Sequence, residues 1–487
     1  MYSLRERGLM RYKFKVKPYA HQLVALEKSW DKEYYALFMD MGTGKSKVLL
    51  DTASMLYDKG KIEAVLIIAP KGVYQNWIQK EIPTHMPEHL VYHTVAWTPE
   101  NTIKKKKELT TLFQITEELK ILVMNVEAFS TKKGVEFARK YLNGWKTLLV
   151  VDESTTIKSK DAARTKNLLK LGKRAVYRRI LTGSPVTKSP LDLFTQCEFL
   201  EEESLRQSSY WAFQNRYAKM LRRSVGTHSF NQITGYQNLE ELNGIIEPFS
   251  FRVRKEECLD LPDKVYTKRI VQLTKEQGEA YRTLKGAALA VIEGSMVSAS
   301  TVLTQILRLQ QVCSGFANMD DGSVKEVPTN KLKELLSVIE ETNGKVIIWA
   351  NFVHDLLLIY KTLAKIYGEE SCTTFYGGTP ANDRQGIVET FQDAHSSLRF
   401  FIGQPRTGGY GLTLTEAKTV IYYSNGYDLE IRLQSEDRAH RIGQTNKVTY
   451  VDIIVEKTVD QKILAALRNK INISTQIMAE GHKEWII

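Results

Sequence analysis

Tyr35-Ala36-Leu37-Phe38-Met39-Asp40-Met41-Gly42-Thr43-Gly44-Lys45-Ser46 joins an unbroken apolar run to a glycine-rich loop that ends in lysine and serine. An apolar run this short and continuous reads as a strand buried on both faces, as in parallel sheets covered by helices. The glycines that follow let successive backbone N–H groups turn toward phosphate oxygens at the start of a helix. Lys45 is placed to reach the β and γ phosphates of a nucleotide, and the Ser46 hydroxyl to ligate magnesium. The longer phosphate-loop pattern has a glycine where Met39 stands, so the loop here is the shorter Gly-x-Gly-Lys-Ser form.

Further runs of the same kind lie on either side of residue 188, and in the first half each ends at residues able to do chemistry. Val65 to Ala69 leads to Pro70-Lys71, Ile121 to Met124 leads to Asn125, and Leu148 to Val151 leads to Asp152-Glu153. Arg179 to Leu181 leads to Thr182-Gly183-Ser184. Ligands of parallel sheets collect at the carboxyl ends of the strands, where these polar residues fall. A second series comprises Val346 to Trp349, Phe400 to Ile402, Val420 to Tyr423 and Val451 to Ile454, separated by helical patterns such as 330–341 and 355–367. Residues 188 to 330 lack strong strand signals and read as mainly helical. Pro262, within Leu259 to Lys264, marks the crossing point. The expected organisation is therefore two parallel-sheet α/β domains, 1–262 and 263–487. Their helical insertions fall near 188–250 and 275–325.

The 487 residues and 43% hydrophobic content suit more than one domain with sizeable cores. Lysine and arginine number 68 against 56 acids, a net +12 that suits a polyanionic partner. Cys197, Cys258, Cys313 and Cys372 are too dispersed for a zinc site or a disulfide framework. No apolar run reaches the roughly 20 residues that span a bilayer, and the first 17 residues have no signal-peptide core. A cytoplasmic protein is expected.

Asp152 and Glu153 can divide the labour of hydrolysis, Asp152 holding magnesium and Glu153 orienting and deprotonating water. A strand-terminal acidic pair also suits a helix start, but with a phosphate loop upstream the catalytic reading wins. The hydroxyls of Thr182 and Ser184 could sense the γ phosphate, and the same residues equally suit a tight turn. Gln22 offers the donor and acceptor that the edge of adenine needs, whereas neighbouring His21 reads as packing or surface. In the second half, Thr407-Gly408-Gly409-Tyr410-Gly411-Leu412 lets backbone approach a phosphate, or serves as a flexible turn. Gln434, Arg438 and Arg441 recur at helical spacing, so all three are expected on one helix face. The planar, permanently charged fork of arginine suits the γ phosphate during transfer. The Lys104 to Lys107 run reads as solvated surface, and Trp77, Trp211 and Trp349 as core.

With these residues in hand, the chain resembles the superfamily-two helicases, and within them the SWI/SNF-type, chromatin-remodeller-like DNA translocases. The likeness runs from Pro18 to about Gly481. Pro18 to Gln22 resembles the adenine-reading motif, Asp40 to Ser46 the phosphate loop, and Asp152-Glu153-Ser154-Thr155 the Asp-Glu-Ala-His box. Leu181 to Pro185 resembles Leu-Thr-Gly-Thr-Pro, and Gly408 to Leu412 resembles Gly-Gly-Leu-Gly-Leu. Most specific is Gln434-Ser435-Glu436-Asp437-Arg438-Ala439-His440-Arg441-Ile442-Gly443-Gln444. The resemblance implies two RecA-like lobes, with helical insertions between and within them, forming a minimal motor core. It implies ATP and Mg2+ as cofactors and duplex DNA as partner, with ATP hydrolysed where the lobes meet, and a monomer is compatible with it. Gly42, Thr43, Gly44, Lys45, Ser46, Gln22 and Gly409 would hold the nucleotide, Arg438 and Arg441 would act as arginine fingers, and Gln434 would share their site. Pro70, Lys71, Asn76, Asn125, Thr407 and Gly408 would meet DNA. Ser154-Thr155 departs from the usual Ala-His or Gly-His, and so alters the link between the acidic box and the threonine motif. Thr413 stands where the family has asparagine. A strand-separating helicase, or a nucleotide-switched DNA clamp that hydrolyses little, are the alternatives.

Overall fold

A computed structural model describes residues 12–468, apart from 72–73, 101, 187–188, 226–227, 259–260, 295–298, 319–322, 381–382, 409–411, 427 and 466. The chain divides into two compact units, one up to residue 260 and one from 261 to 471.

In the first unit, β1 (Tyr34–Met39), β2 (Ala64–Ala69), β3 (Tyr92–Ala96), β4 (Leu119–Asn125), β5 (Thr147–Asp152) and β6 (Tyr177–Leu181) follow in chain order. An antiparallel hairpin, β7 (Ala218–Val225) with β8 (His228–Tyr236), precedes β9 (Ser250–Val253). Seven of these strands form one sheet in the order β3-β4-β2-β5-β6-β1-β9, with every pairing parallel. The unbroken apolar runs have a simple cause. Ala36 and Phe38 enter one core and Tyr35, Leu37 and Met39 the other, so neither face of β1 meets water. Ile67 and Ile68 divide in the same way on β2.

The mainly helical expectation for 188–330 needs correcting. Helices Leu193–Leu200 and Tyr210–Tyr217 are present, but between Tyr217 and Gln237 the chain forms the β7–β8 hairpin. Its sequence lacks a long apolar run because only its base is covered. Ile233 and Tyr236 pack on the core, whereas Met220 and Leu221 are exposed. Trp77 and Trp349 are core residues, as expected, but Trp211 is 63% exposed. Its ring lies edge-on to Tyr210 and under the Lys160 ammonium, a half-wet position that suits an indole.

The second unit contains β10 (Lys264–Val271), the short pair β11 (Phe316–Asn318) and β12 (Val324–Glu326), then β13 (Lys345–Trp349), β14 (Cys372–Phe375), β15 (Phe400–Gly403), β16 (Ala417–Tyr422) and β17 (Val448–Val455). Six strands form a wholly parallel sheet in the order β10-β17-β16-β13-β15-β14. Val346 and Ile348 enter one core and Ile347 and Trp349 the other. Both units are thus α/β lobes of RecA-like type. β10 and β14 are the outermost strands, and their weaker apolar signal reflects that position. Helices Asn330–Glu340 and Val353–Tyr367 occupy the expected segments. No helix among the described residues is long and apolar enough to cross a membrane.

Candidate functional site

β1, β6 and β5 are neighbours, and at their carboxyl ends stand the glycine loop, Thr182 and Asp152 in that order. The sheet itself therefore gathers residues that are more than 130 positions apart in sequence onto one edge. Gly42 (φ 79) and Gly44 (φ 92) take the left-handed conformation that glycine adopts without strain. Helix Lys45–Asp58 begins immediately after, with Gly44 as its N-cap. The loop closes on itself because the Thr43 hydroxyl donates to Asp40 O at 2.7 Å. Lys45 Nζ lies back along the loop, donating to Met39 O at 2.7 Å and to Asp40 O at 3.3 Å.

Gln22 and His21 brace this loop from helix Ala20–Ser29. The Gln22 amide donates to Thr43 O at 3.0 Å while its Oε1 accepts from the Tyr19 N–H, and the residue is 2% exposed. A Cβ at Gly44 would lie 2.1 Å from Gln22 Nε2, so a side chain there would displace the Gln22 brace as well as strain the backbone. His21 Nε2 also meets Thr43 O, at 2.8 Å, and is therefore part of the brace rather than loose surface. Arg179, fully buried on β6, fixes the far end of the same helix by donating to Ser29 O and Lys32 O, both at 2.7 Å. Burial pulls its guanidinium down to about 10, which leaves it charged at neutral pH. Nothing in the sequence distinguished Arg179 from an ordinary strand residue.

Asp152 has both carboxylate oxygens engaged. Trp77 Nε1 donates to Oδ2 and the Glu153 N–H to Oδ1, each at 3.0 Å. Burial pushes its carboxyl up, and the Trp77 N–H, the Lys45 ammonium and the Glu153 N–H only partly pull it back. A carboxylate in that condition favours a cation beside it. Ser46 and Asp152 offer hard oxygen donors, which fit magnesium and not a soft metal. Glu153 stands at φ 49, ψ 62, left-handed backbone that costs a non-glycine residue about 1–3 kcal/mol. Such strain persists only where neighbours fix the chain. Here the Thr156 N–H bonds Glu153 O at 2.9 Å and the Asp152 side chain holds the Glu153 N–H.

The residues expected at DNA occupy the adjoining part of the edge. Ala69 of β2 pairs in register with Asn125 of β4, so Pro70-Lys71 and Asn125 leave the sheet side by side. Lys71 is exposed. Asn125 Oδ1 accepts from the Ala128 N–H at 2.8 Å, capping the turn that follows β4, and Asn76 Nδ2 donates to Glu81 at 3.2 Å. Lys104 to Lys107 lie on helix Ile103–Thr111, which has no buried residue, as a solvated run should.

In the second unit the single-helix expectation for Gln434, Arg438 and Arg441 is overturned. Helix Leu429–Glu436 ends before either arginine. At that point the Arg438 N–H turns to Ser435 O, at 3.4 Å, and it is the Arg438 Nε that meets Gln434 O, at 2.9 Å. Both arginines then turn to one acceptor, Leu412 O, Arg438 at 3.2 Å and Arg441 at 3.0 Å. Convergence is thus achieved by a turn and not by helical phase. Arg438 is 6% exposed and Arg441 more so. Gln434 Nε2 donates to Glu430 at 3.2 Å, and its buried Oε1 has no partner among the described residues. Thr407 and Gly408 end the short helix Pro405–Gly408, while Gly409 lies outside the described residues.

A buried charge network anchors that turn. Arg432 donates to Glu436 at 2.8 Å, to Asn425 at 2.7 Å and to Asp452 at 2.5 Å, with its guanidinium 3.4 Å from the Tyr422 ring centroid. Tyr266 and Lys264 of β10 reach the other Glu436 oxygen, at 2.6 and 3.3 Å. Burial opposes ionisation of Glu436, but Lys264 and Arg432 outweigh it and hold the carboxyl below its ordinary range. His440 meets Pro262 O at 2.7 Å.

Comparison with known proteins gives a consistent result. The SNF2-related domain matches residues 26–316, and the helicase conserved C-terminal domain matches residues 329–443. Protein CHROMATIN REMODELING 4 of Arabidopsis thaliana is 23% identical over 93% of this chain and 21% of its own length. A putative ATP-dependent helicase/translocase, YwqA of Bacillus subtilis, is 25% identical over 92% of this chain and 46% of its own. The chain thus spans between a fifth and a half of the length of these relatives. Among solved structures, the Sulfolobus solfataricus SWI2/SNF2 ATPase core in complex with dsDNA aligns over 97% of this chain and 95% of that chain. Its TM-score is 0.43 at 23% identity.

Proposed function

The chain belongs to the SNF2-related family, and from that premise we propose that it hydrolyses ATP in response to duplex DNA and uses each cycle to move along the duplex. The observation that carries this reading is the single sheet edge where β1, β6 and β5 present the phosphate loop, Thr182 and the Asp152-Glu153 pair. Lys45 would bind the β and γ phosphates, and Ser46 with Asp152 would hold magnesium, which when bound neutralises phosphate charge. Glu153 would take the proton of the water that attacks the γ phosphorus as the bond to the ADP oxygen breaks. Gln22 would meet adenine while keeping its brace on Thr43. Arg438, Arg441 and Gln434 would complete the site from the second lobe, with ATP favouring the closed arrangement of the two.

DNA would lie along Pro70, Lys71, Asn76 and Asn125 of the first lobe and Thr407 with Gly408 of the second. Contacts of this kind read the backbone, so binding should be salt-sensitive and indifferent to sequence. The names of the relatives, which include chromatin remodelling and helicase/translocase, support this reading.

One observation favours a second reading, strand separation. The β7–β8 hairpin leaves the first lobe with Lys219, Met220, Leu221 and Arg222 exposed, and Tyr217 to Tyr236 contain no acid. A basic hairpin with apolar residues is suited to enter a fork. A single displacement experiment separates the two readings. A third strand annealed in the groove of an intact duplex should be ejected when ATP is supplied, while a forked duplex stays paired. Opening of the fork, lost when Met220 and Leu221 become serine, would replace the first reading by the second.

A further inference from the structure

Ser154 follows Glu153 directly, and the fold ties it through a buried amide to the turn after β6. The Ser154 hydroxyl donates to Gln196 Oε1 at 2.7 Å, and Gln196 Nε2 donates to Pro185 O at 2.8 Å and to Asp192 O at 2.7 Å. Both Ser154 and Gln196 are fully buried. One Oε1 lone pair and both N–H groups of the amide are thus in use, which fixes its orientation. Gln196 lies on helix Leu193–Leu200, and its neighbour Thr195 donates to Ile157 O at 2.7 Å, so this helix grips both ends of the turn Ser154–Ile157.

Each end of the bridge touches the candidate site. On one side, Ser154 follows Glu153, the residue held in left-handed backbone. On the other, Pro185 closes the turn that begins at Thr182, where the Ser184 N–H bonds the Thr182 hydroxyl at 3.2 Å. Gly183 in that turn packs on the phosphate loop so closely that a Cβ would lie 3.2 Å from Met41 N and 3.4 Å from Met39 O. A contiguous path therefore runs from Glu153 through Ser154, Gln196, Pro185 and Gly183 to the backbone that holds Lys45.

We propose that Gln196 is a positioning residue for hydrolysis, which through Ser154 fixes Glu153 and ties it to the Thr182–Pro185 turn and the phosphate loop. The proposal rests on the motor reading above. Ser154 and Gln196 are both buried, so removing either partner leaves a polar atom of the other without its bond and loosens what it holds. Neither residue touches nucleotide in this scheme, so their loss should lower the rate of turnover and not the binding of ATP.

Three variants test it in the full chain: Gln196→Met, which keeps the volume, Ser154→Ala, and the two combined. Each single variant should lower the duplex-stimulated kcat by about 3- to 30-fold, the span of couplings carried by such networks. The KM for ATP and the affinity for duplex should stay within about twofold of wild type, and the double variant should be no worse than the weaker single one. Ser154→Thr, which retains the hydroxyl, should recover most of the rate. Additive losses, a loss confined to KM, or Ser154→Thr no better than Ser154→Ala would each overturn the proposal. If Gln196→Met does not fold, Ser154→Ala against Ser154→Thr decides alone. Failure of the motor reading is visible separately, as a wild-type protein without duplex-stimulated turnover.

Discussion

Arg441→Ala is expected to lower duplex-stimulated ATP turnover by roughly 1,000-fold while leaving DNA affinity and the melting temperature near wild type. An arginine that engages the γ phosphate only in the transition state contributes an effect of that order. The two arginines of the turn are not equivalent. Arg438 is buried and bonds the carbonyls of Gln434 and Leu412, so it maintains the turn. Arg441 shares the Leu412 carbonyl but is the more exposed of the two, which suits a group that must reach a substrate. Arg438→Ala should therefore lower both stability and rate, whereas Arg441→Ala lowers the rate alone. Arg441→Lys keeps a charge without the planar fork and should recover little. Steady-state turnover beside calorimetry makes the comparison, and an Arg441→Ala protein with intact hydrolysis would remove this residue from the reaction.

Arg432→Ala should destabilise the second lobe by about 3–5 kcal/mol, the range for breaking a buried ion pair and leaving its partners charged. Here the loss would leave buried Asp452 without a cationic partner among the described residues and Glu436 with Lys264 and Tyr266 alone, since Arg432 serves both carboxylates. The pH dependence has a definite sign. Glu436 is held below its ordinary range in the folded protein, so its contribution is complete above that range and is lost as pH falls below it, through the lower value of the folded state. Without Arg432 that acid-side loss should shrink. Turnover should fall as well, because Tyr450 donates to Glu436 O at 2.8 Å and Tyr422 bonds Ser435 at 2.6 Å, and both fix the segment just before the arginine turn. Calorimetric melting from pH 2 to 8 measures both quantities. A melting temperature unchanged from wild type would mean that the network does not hold this segment.

Most of the framework was legible in the sequence because buried parallel strands leave an unmistakable apolar run, and such sheets place ligands at strand ends. Asp152, Thr182 and the phosphate loop could be assigned to strand ends for that reason. Three features escaped it for different physical causes. The helix expected through Arg441 stops at Glu436, where the Arg438 side chain and not its backbone N–H meets Gln434 O, and residue spacing carries no trace of that exchange. The β7–β8 hairpin is covered only at its base, so it lacks a core-facing pattern, and Gly226-Thr227 between two runs of mixed residues was the only signal. The roles of Arg179, Trp77 and Gln196 depend on partners between 42 and 150 positions away, which only the folded chain brings near.

On the proposed function, the site at the sheet edge hydrolyses ATP when duplex DNA is bound. Steady-state ATP turnover of the full chain, measured with saturating duplex, single-stranded DNA, RNA and no nucleic acid, tests it most directly. Strong stimulation by duplex is expected, less by single strands or RNA, and none in Lys45→Ala. Turnover on duplex no greater than that of Lys45→Ala, or stimulation only by single strands or RNA, would contradict it.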